Sequence, residues 1–354
     1  MKTNGLPTTA GLACPIPIDD DAVVQLAHGG GGRKTSQLVE GMFVPAFASQ
    51  ELASLGDGAI VEVDGRRLAF STDTFVVRPV FFPGGDIGSL AVHGTVNDLA
   101  MCGAEPVALS AGFVIEEGFP MADLRRVVAS MAAAAAAAGV PVVTGDTKVV
   151  DRGKGDGIYV NTSGIGAVRA GVSVGPANAR PGDAVIVSGP VGDHGIAVMA
   201  ARSGIDLETA LVSDSAPVVA IVRALLDAVP SVRVLRDPTR GGLATALCEL
   251  AASSGVGIRL DETAVPVRRE VRAACELLGF DPLYVACEGR FLAIVPGDLA
   301  EAALAAIHAA PGGESACRVG EVVDGPAGRV TLRTALGSHR RIERLSGEQL
   351  PRIC

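Results

Sequence analysis

The chain alternates between two patterns of apolar positions, one of short strands and one of longer helices. Ala59 to Val63 and Leu68 to Val77 are strand-like runs, and Asp64-Gly65 between them is a hairpin turn signal. Gly84-Gly85-Asp86 opens a predicted helix from Ile87 to Met101, and Pro106 to Phe113 follows as a strand. From Val127 to Val143 there is no charge, the length of a membrane span. The stretch is mostly alanine, and Gly139-Val140-Pro141 interrupts it. It therefore reads as a helix ending near Gly139 that feeds the strand Pro141–Thr144. Ile158 to Val168 is a further strand.

Around residues 175–183 the composition shifts to Pro, Gly and Asn, which marks a domain boundary. Beyond it the pattern predicts a strand at Ala184–Ser188, helices at Ala216–Val229 and up to Ser254, and a strand at Gly257–Leu260. Helices at Arg269–Leu278 and Leu299–Ala309 and strands near Val319 and Val330 complete the half. The expected division is a leader over 1–25, one domain over 26–176, a second over 177–336, and a mobile tail over 337–354. Mixed strands and helices in both halves predict an α/β (α+β) chain. No internal sequence repeat is evident.

Composition narrows the function. The chain has 354 residues, a net charge of −9 and no Trp, which argues against nucleic-acid binding, where a basic face and stacking aromatics are usual. Seven cysteines without a C-x-x-C pair fit a reducing cytoplasm better than a disulfide scaffold or a zinc ribbon. The first residues carry Asp19, Asp20 and Asp21 and no basic-then-apolar signal region.

Candidate chemistry lies in loops and at the ends of elements. Gly29-Gly30-Gly31-Gly32, followed by Arg33-Lys34-Thr35-Ser36, can bring backbone N–H groups close to an anion, or can be a plain linker. It lacks the spacing of a Walker loop. Asp73 interrupts an apolar strand, where a carboxylate is costly unless paired or metal-bound. Asn97 and Asp98 interrupt an apolar helix. Asp146 and Lys148 follow the strand ending at Thr144. Each acid alone reads equally as a cap or turn residue. Together they fit a nucleotide–metal site, with carboxylates on Mg²⁺ and a lysine near developing charge. Asp193 or His194 in the loop Pro190–Gly195 is either catalytic or a helix cap. Arg236-Asp237-Pro238-Thr239-Arg240-Gly241-Gly242 opens a helix whose first N–H groups can hold phosphate. Glu288, in Cys287-Glu288-Gly289-Arg290 between two apolar strands, is a half-buried acid–base candidate or a hairpin-turn acid. The chain stops on Cys354. The basic neighbours Arg340, Arg341, Arg344 and Arg352 favour its thiolate, and the terminal carboxylate opposes it. The alternative is a frayed end with an incidental cysteine.

Ser71-Thr72-Asp73-Thr74, Val96-Asn97-Asp98-Leu99-Ala100-Met101, Thr144-Gly145-Asp146-Thr147-Lys148 and Asp237-Pro238-Thr239-Arg240-Gly241-Gly242-Leu243 resemble the ATP-binding superfamily of aminoimidazole ribonucleotide synthetase. With the terminal Pro351-Arg352-Ile353-Cys354, the set resembles the HypE family, the carbamoyl dehydratases of nickel–iron hydrogenase maturation. That resemblance implies a two-domain PurM-like fold and a homodimer whose N-terminal sheets pair, with ATP near the interface. It implies that HypF loads a carbamoyl group onto Cys354 and that ATP phosphorylates its oxygen. Dehydration then leaves a thiocyanate, and the cyanide passes to a HypC–HypD complex. On this reading Gly30, Gly31, Gly32, Asp73, Thr74, Asn97, Asp98, Asp146, Thr147, Asp237 and Thr239 serve the nucleotide. Asp73, Asp98 and Asp146 hold Mg²⁺, and Lys148 and Glu288 assist proton removal. The enzyme is expected in the cytoplasm. Two rivals stay open: a superfamily kinase or synthetase acting on a free small molecule, of the selenophosphate synthetase kind, and a non-catalytic maturation scaffold.

Overall fold

The computed structural model describes residues 23–204, 211–346 and 353–354. Short helical turns α1 (Arg33–Leu38), α2 (Val44–Phe47) and α3 (Gln50–Ala53) precede the first sheet. The first domain contains β1 (Ala59–Val63), β2 (Arg66–Phe75), a ribbon of β3 (Phe81–Phe82) and β4 (Gly85–Asp86), and α4 (Ile87–Met101). It continues with β5 (Ala104–Glu116), α5 (Met121–Ala138), β6 (Val142–Val150) and β7 (Ile158–Val168). The sheet runs β1-β2-β7-β5-β6, and its one parallel pair is β5–β6.

Helix α4 starts sharply because Asp86 caps it, its Oδ1 accepting from Gly88 N at 2.7 Å and Ser89 N at 3.1 Å. It is buried nearly all round. The sheet lies on one side, α5 on another, and the second domain on a third. A polar residue in α4 therefore faces protein wherever it points. The opposite face of the sheet is open, exposing Phe70, Val114 and Ile165, and the edge strand β6 is exposed along nearly all its length.

The second domain holds β8 (Ala184–Val187), α6 (Asp193–Ser203), α7 (Val219–Ala228), β9 (Val234–Arg236), α8 (Gly242–Ser253), β10 (Gly257–Asp261) and α9 (Arg269–Leu278). It closes with β11 (Leu292–Val295), α10 (Ala300–Ala309), β12 (Cys317–Val323), β13 (Arg329–Arg333) and β14 (His339–Ile342). The seven strands run β14-β13-β10-β12-β8-β11-β9. The continuous apolar runs of β8 and β11 are buried on both faces.

Three local expectations are corrected. Strand β6 runs on to Val150, so Thr144 to Lys148 lie inside it and not beyond its end. Cys287–Arg290 follows a helical turn at Pro282–Tyr284, so it is a loop entering β11 and not a hairpin. His339–Ile342 is a strand paired with β13 and not part of a mobile tail. Its polar composition hid it, because backbone pairing and the single buried Ile342 hold it in place. The leader and residues 347–352 lie outside the described residues. No helix among the described residues is long and apolar enough to cross a membrane.

Candidate active site

Where the domains meet, five acidic side chains and two arginines face one space, buried except on the side of Arg240, which is exposed. Asp57, Asp73 and Asp98 come from the first domain, and Asp237 and Glu288 from the second, with Arg236 and Arg240. Alternation along β2 turns Ser71 and Asp73 toward the helices, and Thr72 and Thr74 toward the open face. Ser71 Oγ donates to Asp98 Oδ2 at 2.5 Å. The Asp237 loop and the Glu288 loop are stitched together where Cys287 N donates to Pro238 O at 3.0 Å. Gly242 has a φ of +60°, and a Cβ there would meet Leu283 O at 2.6 Å, so only glycine lets these segments close.

Burial is the main force on these acids. It raises Asp98 and Asp237 well above the usual carboxylate range; the Asp237 charge adds to the rise at Asp98, and Asp57 and Asp73 add to that at Asp237, which a hydrogen bond with Asp98 moderates. Asp57 is pushed up to about 6 by burial, against the pull of Arg236 at 2.7 Å. Glu288 is raised well above its ordinary value by burial, then by Asp237, Asp73 and Asp214. Its Oε1 is buried without a hydrogen-bond partner among the described residues.

The C-terminus enters this space. Ile353 is buried, and its carbonyl accepts from His194 Nε2 at 2.7 Å. A terminal oxygen of Cys354 accepts from Val76 N at 3.2 Å. The Cys354 thiol is raised above its ordinary value, chiefly by burial. Arg240 opposes that rise, while Glu288 and Asp73 add to it, with the Glu288 carboxylate also a hydrogen-bond partner. The expected thiolate is thus corrected. Arg340, Arg341 and Arg344 are engaged by Asp281, Glu343 and Glu40, and the thiol sits among acids instead.

Beside the acids lies a cavity of about 600 Å³, bordered by Gly31, Thr35, Asp57, Ser71, Thr239 and Arg240. That is the size of a small-molecule site. The glycine run forms part of its wall. A Cβ at Gly31 would lie 2.5 Å from Arg240 Cβ, and one at Gly32 would lie 2.5 Å from Leu345 O. These glycines permit contact with neighbouring backbone, and Arg240 Nη1 donates to Gly29 O at 2.9 Å. Gly30 caps the preceding turn.

Other expected site residues are placed elsewhere. Asp73 is in register with Thr162, Ala111 and Gly145 across the sheet, so Asp146 and Lys148 project from the opposite face. They pair with each other at 2.8 Å and are 72% and 68% exposed. Within one chain, Asp73, Asp98 and Asp146 do not form a trio, and Lys148 is not beside Glu288. Thr147 lies between Asp146 and Lys148 on β6 and alternates to the other face, and Thr74, on the open face, accepts from Asn161 Nδ2 at 3.0 Å. Asn97 is an interdomain clamp. Its Nδ2 donates to Ala216 O at 3.0 Å and Glu288 O at 3.2 Å, and its Oδ1 accepts from Val218 N at 2.8 Å. Among the described residues no three His, Cys, Asp or Glu side chains are set to hold one ion. The sequence reading missed Asp57, whose signal is an acid between Gly56 and Gly58, and Arg240, which stood inside a recognised loop.

Comparison with known proteins bears on which chemistry this space serves. Residues 55–168 match the AIR synthase related protein N-terminal domain, and residues 180–333 match its C-terminal domain. A carbamoyl dehydratase HypE from Cupriavidus necator is 53% identical over 332 residues, covering 94% of this chain and 95% of that protein. The chain belongs to the HypE family of carbamoyl dehydratases. A HypE solved in complex with ATP superposes with a TM-score of 0.80 at 49% identity, covering 94% of this chain and 100% of that one. The HypE–HypF complex gives 0.83 at 46% identity, covering 87% and 99%. The two-domain PurM-like fold read from the motifs is the fold of the HypE family.

Proposed function

We propose that this chain uses ATP to dehydrate an S-carbamoyl group on Cys354 to a thiocyanate, in hydrogenase maturation. The observation that carries the reading is the Cys354 thiol lodged against Glu288 and Arg240 in the buried interdomain space. A kinase acting on a free small molecule has no use for that placement.

An amide oxygen is a poor leaving group. The carbamoyl oxygen takes the γ-phosphoryl group of ATP, one N–H proton is lost, and an S-bound imidoyl phosphate and ADP result. The C–O bond then breaks with its electrons going to phosphate, the second N–H proton leaves, and S–C≡N remains. Glu288 suits proton acceptance, since a carboxylate with a raised pKa is a stronger base. Arg240 stabilises the anionic phosphoryl oxygens. The cavity beside them takes the nucleotide, with Thr239, Gly31 and Gly32 in or beside its wall.

The donor set fits Mg²⁺. Asp57, Asp73, Asp98 and Asp237 are hard oxygen donors, and their buried charges repel one another despite Arg236 and Arg240. Asp73 and Asp98 would hold the ion, the rest of its shell coming from phosphates and water. Bound there, it would neutralise phosphate charge.

A second copy of the chain covers the open face of the first sheet in our reading. It puts Asp146 and Lys148 at that interface, where they meet the nucleotide site as a shared feature of a homodimer. A HypF-type protein loads Cys354, and a HypC–HypD complex accepts the cyanide, in the cytoplasm. The test is the intact mass of carbamoyl-loaded protein with time after ATP is added. Loss of one water from the Cys354 adduct is expected. Hydrolysis of ATP with no mass change would overturn the reading.

A further inference from the structure

We propose that His194 is the positioning residue for the C-terminus, holding the Ile353 carbonyl so that the Cys354 side chain meets Glu288 whatever its sulfur carries. His194 is fully buried at the start of α6, its ring perpendicular to that of Phe82 with the centroids 5.5 Å apart. Its hydrogen bonds fix its tautomer. A carbonyl has no proton to give, so Nε2–H donates to Ile353 O at 2.7 Å. Nδ1 is then the acceptor and takes the Ser213 hydroxyl at 2.8 Å. Ser213 Oγ in turn accepts from Ser215 N at 3.0 Å, and Ser213 N donates to Pro83 O at 2.8 Å. Every polar atom of the grip is satisfied, and burial pushes the imidazole down to about 4, so the neutral ring persists at physiological pH.

The grip is on backbone. His194, from the second domain, holds the carbonyl before the cysteine, and Val76, from the first, holds a terminal oxygen after it. Neither touches sulfur. A thiol, a thiocarbamate and a thiocyanate are therefore held alike, with the Cys354 side chain aimed by its own Cα–Cβ bond. Only the identity of those sulfur species rests on the function proposed above; the grip itself stands on the contacts.

The experiment needs neither ATP nor a carbamoyl donor, so its failure is distinct from a failure of the proposed reaction. Full-length protein is treated with iodoacetamide, and alkylation of the C-terminal peptide is followed by mass spectrometry. Cys287, fully buried, serves as the control for global opening. His194→Phe fills the space without a donor and is expected to raise the Cys354 rate about tenfold, roughly the worth of one buried hydrogen bond. His194→Gln keeps an N–H donor and is expected to stay near the wild-type rate. Ser213→Ala frees Nδ1 and is expected to give a smaller rise, about threefold. A wild-type rate in His194→Phe, or a Gln variant as fast as the Phe variant, overturns the proposal. If His194→Phe does not fold, Ser213→Ala decides: no rise overturns it.

Discussion

Asp98 is kept in the fold at a cost. Its pKa lies above 3.8 in the folded chain, through burial first and then the charges of Asp237, Asp73 and Asp57. The folded state thus holds a proton that the unfolded state has already lost. Stability from this group is present below the unfolded value and is lost as pH rises through the folded one. Asp57 and Asp214, both at about 6, act in the same sense between 3.8 and about 6. Asp98→Asn should therefore raise Tm by a few degrees at pH 8 and make little difference at pH 4, while MgATP turnover falls at least about 100-fold. Calorimetry at the two pH values checks it, and equal Tm values at pH 8 would remove the repulsion argument. Added Mg²⁺ should narrow the gap by stabilising the wild type more. Glu288→Gln should still accept a carbamoyl group yet form little thiocyanate. The wild-type rate should fall as pH drops through a value above the ordinary glutamate range, because the base must be ionised. A pH–rate profile with its limb near pH 4.5 contradicts this. The residue types of the site were legible, since an acid in an apolar strand or helix needs a reason. Which acids meet was not, because it depends on which face of β2 and β6 each occupies and on how two distant loops close.

Among the elements, α4 shows what a helix pattern can and cannot reveal. Its limits, Ile87 and Met101, were readable because Asp86 caps it and its apolar run ends there. Its neighbours were not, so adjacent Asn97 and Asp98 looked like one pair of ligands. They do different things: Asp98 enters the acid cluster, and Asn97 ties α4 to the second domain. Asn97→Ala leaves Val218 N and Glu288 O unpaired, at about 1–3 kcal/mol each. Thermal unfolding should fall by several degrees, whereas the Mg²⁺ concentration for half-maximal turnover should change little in the protein that stays folded. A large shift in Mg²⁺ dependence would return Asn97 to the ligand set. Strands β6 and β14 were misjudged for one reason: both are edge strands, held by backbone pairing that composition does not reveal.

For the whole molecule, the open face of the first sheet is the feature a single chain leaves unexplained. Val114 and Ile165 on that face are 37% and 42% exposed. If a second copy covers the face, Val114→Lys with Ile165→Lys should halve the mass seen by light scattering and reduce activity at least tenfold. If Lys148 serves a neighbour's site, mixing Lys148→Ala with Glu288→Gln should recover part of the activity that each variant lacks alone. The anchoring of β14 has a consequence of another kind. Leu345 O accepts from Arg33 N at 2.9 Å, and Cys354 lies nine residues beyond it in sequence. Cys354 therefore cannot lie more than about 30 Å from Leu345, half of what an arm starting at Gly337 would reach. A donor or acceptor must bring its own centre inside that radius. In return, a thiol on so short a tether is present at its own site at a roughly millimolar effective concentration, whatever the concentration of protein. Dilution slows loading by an outside donor and leaves the dehydration step untouched.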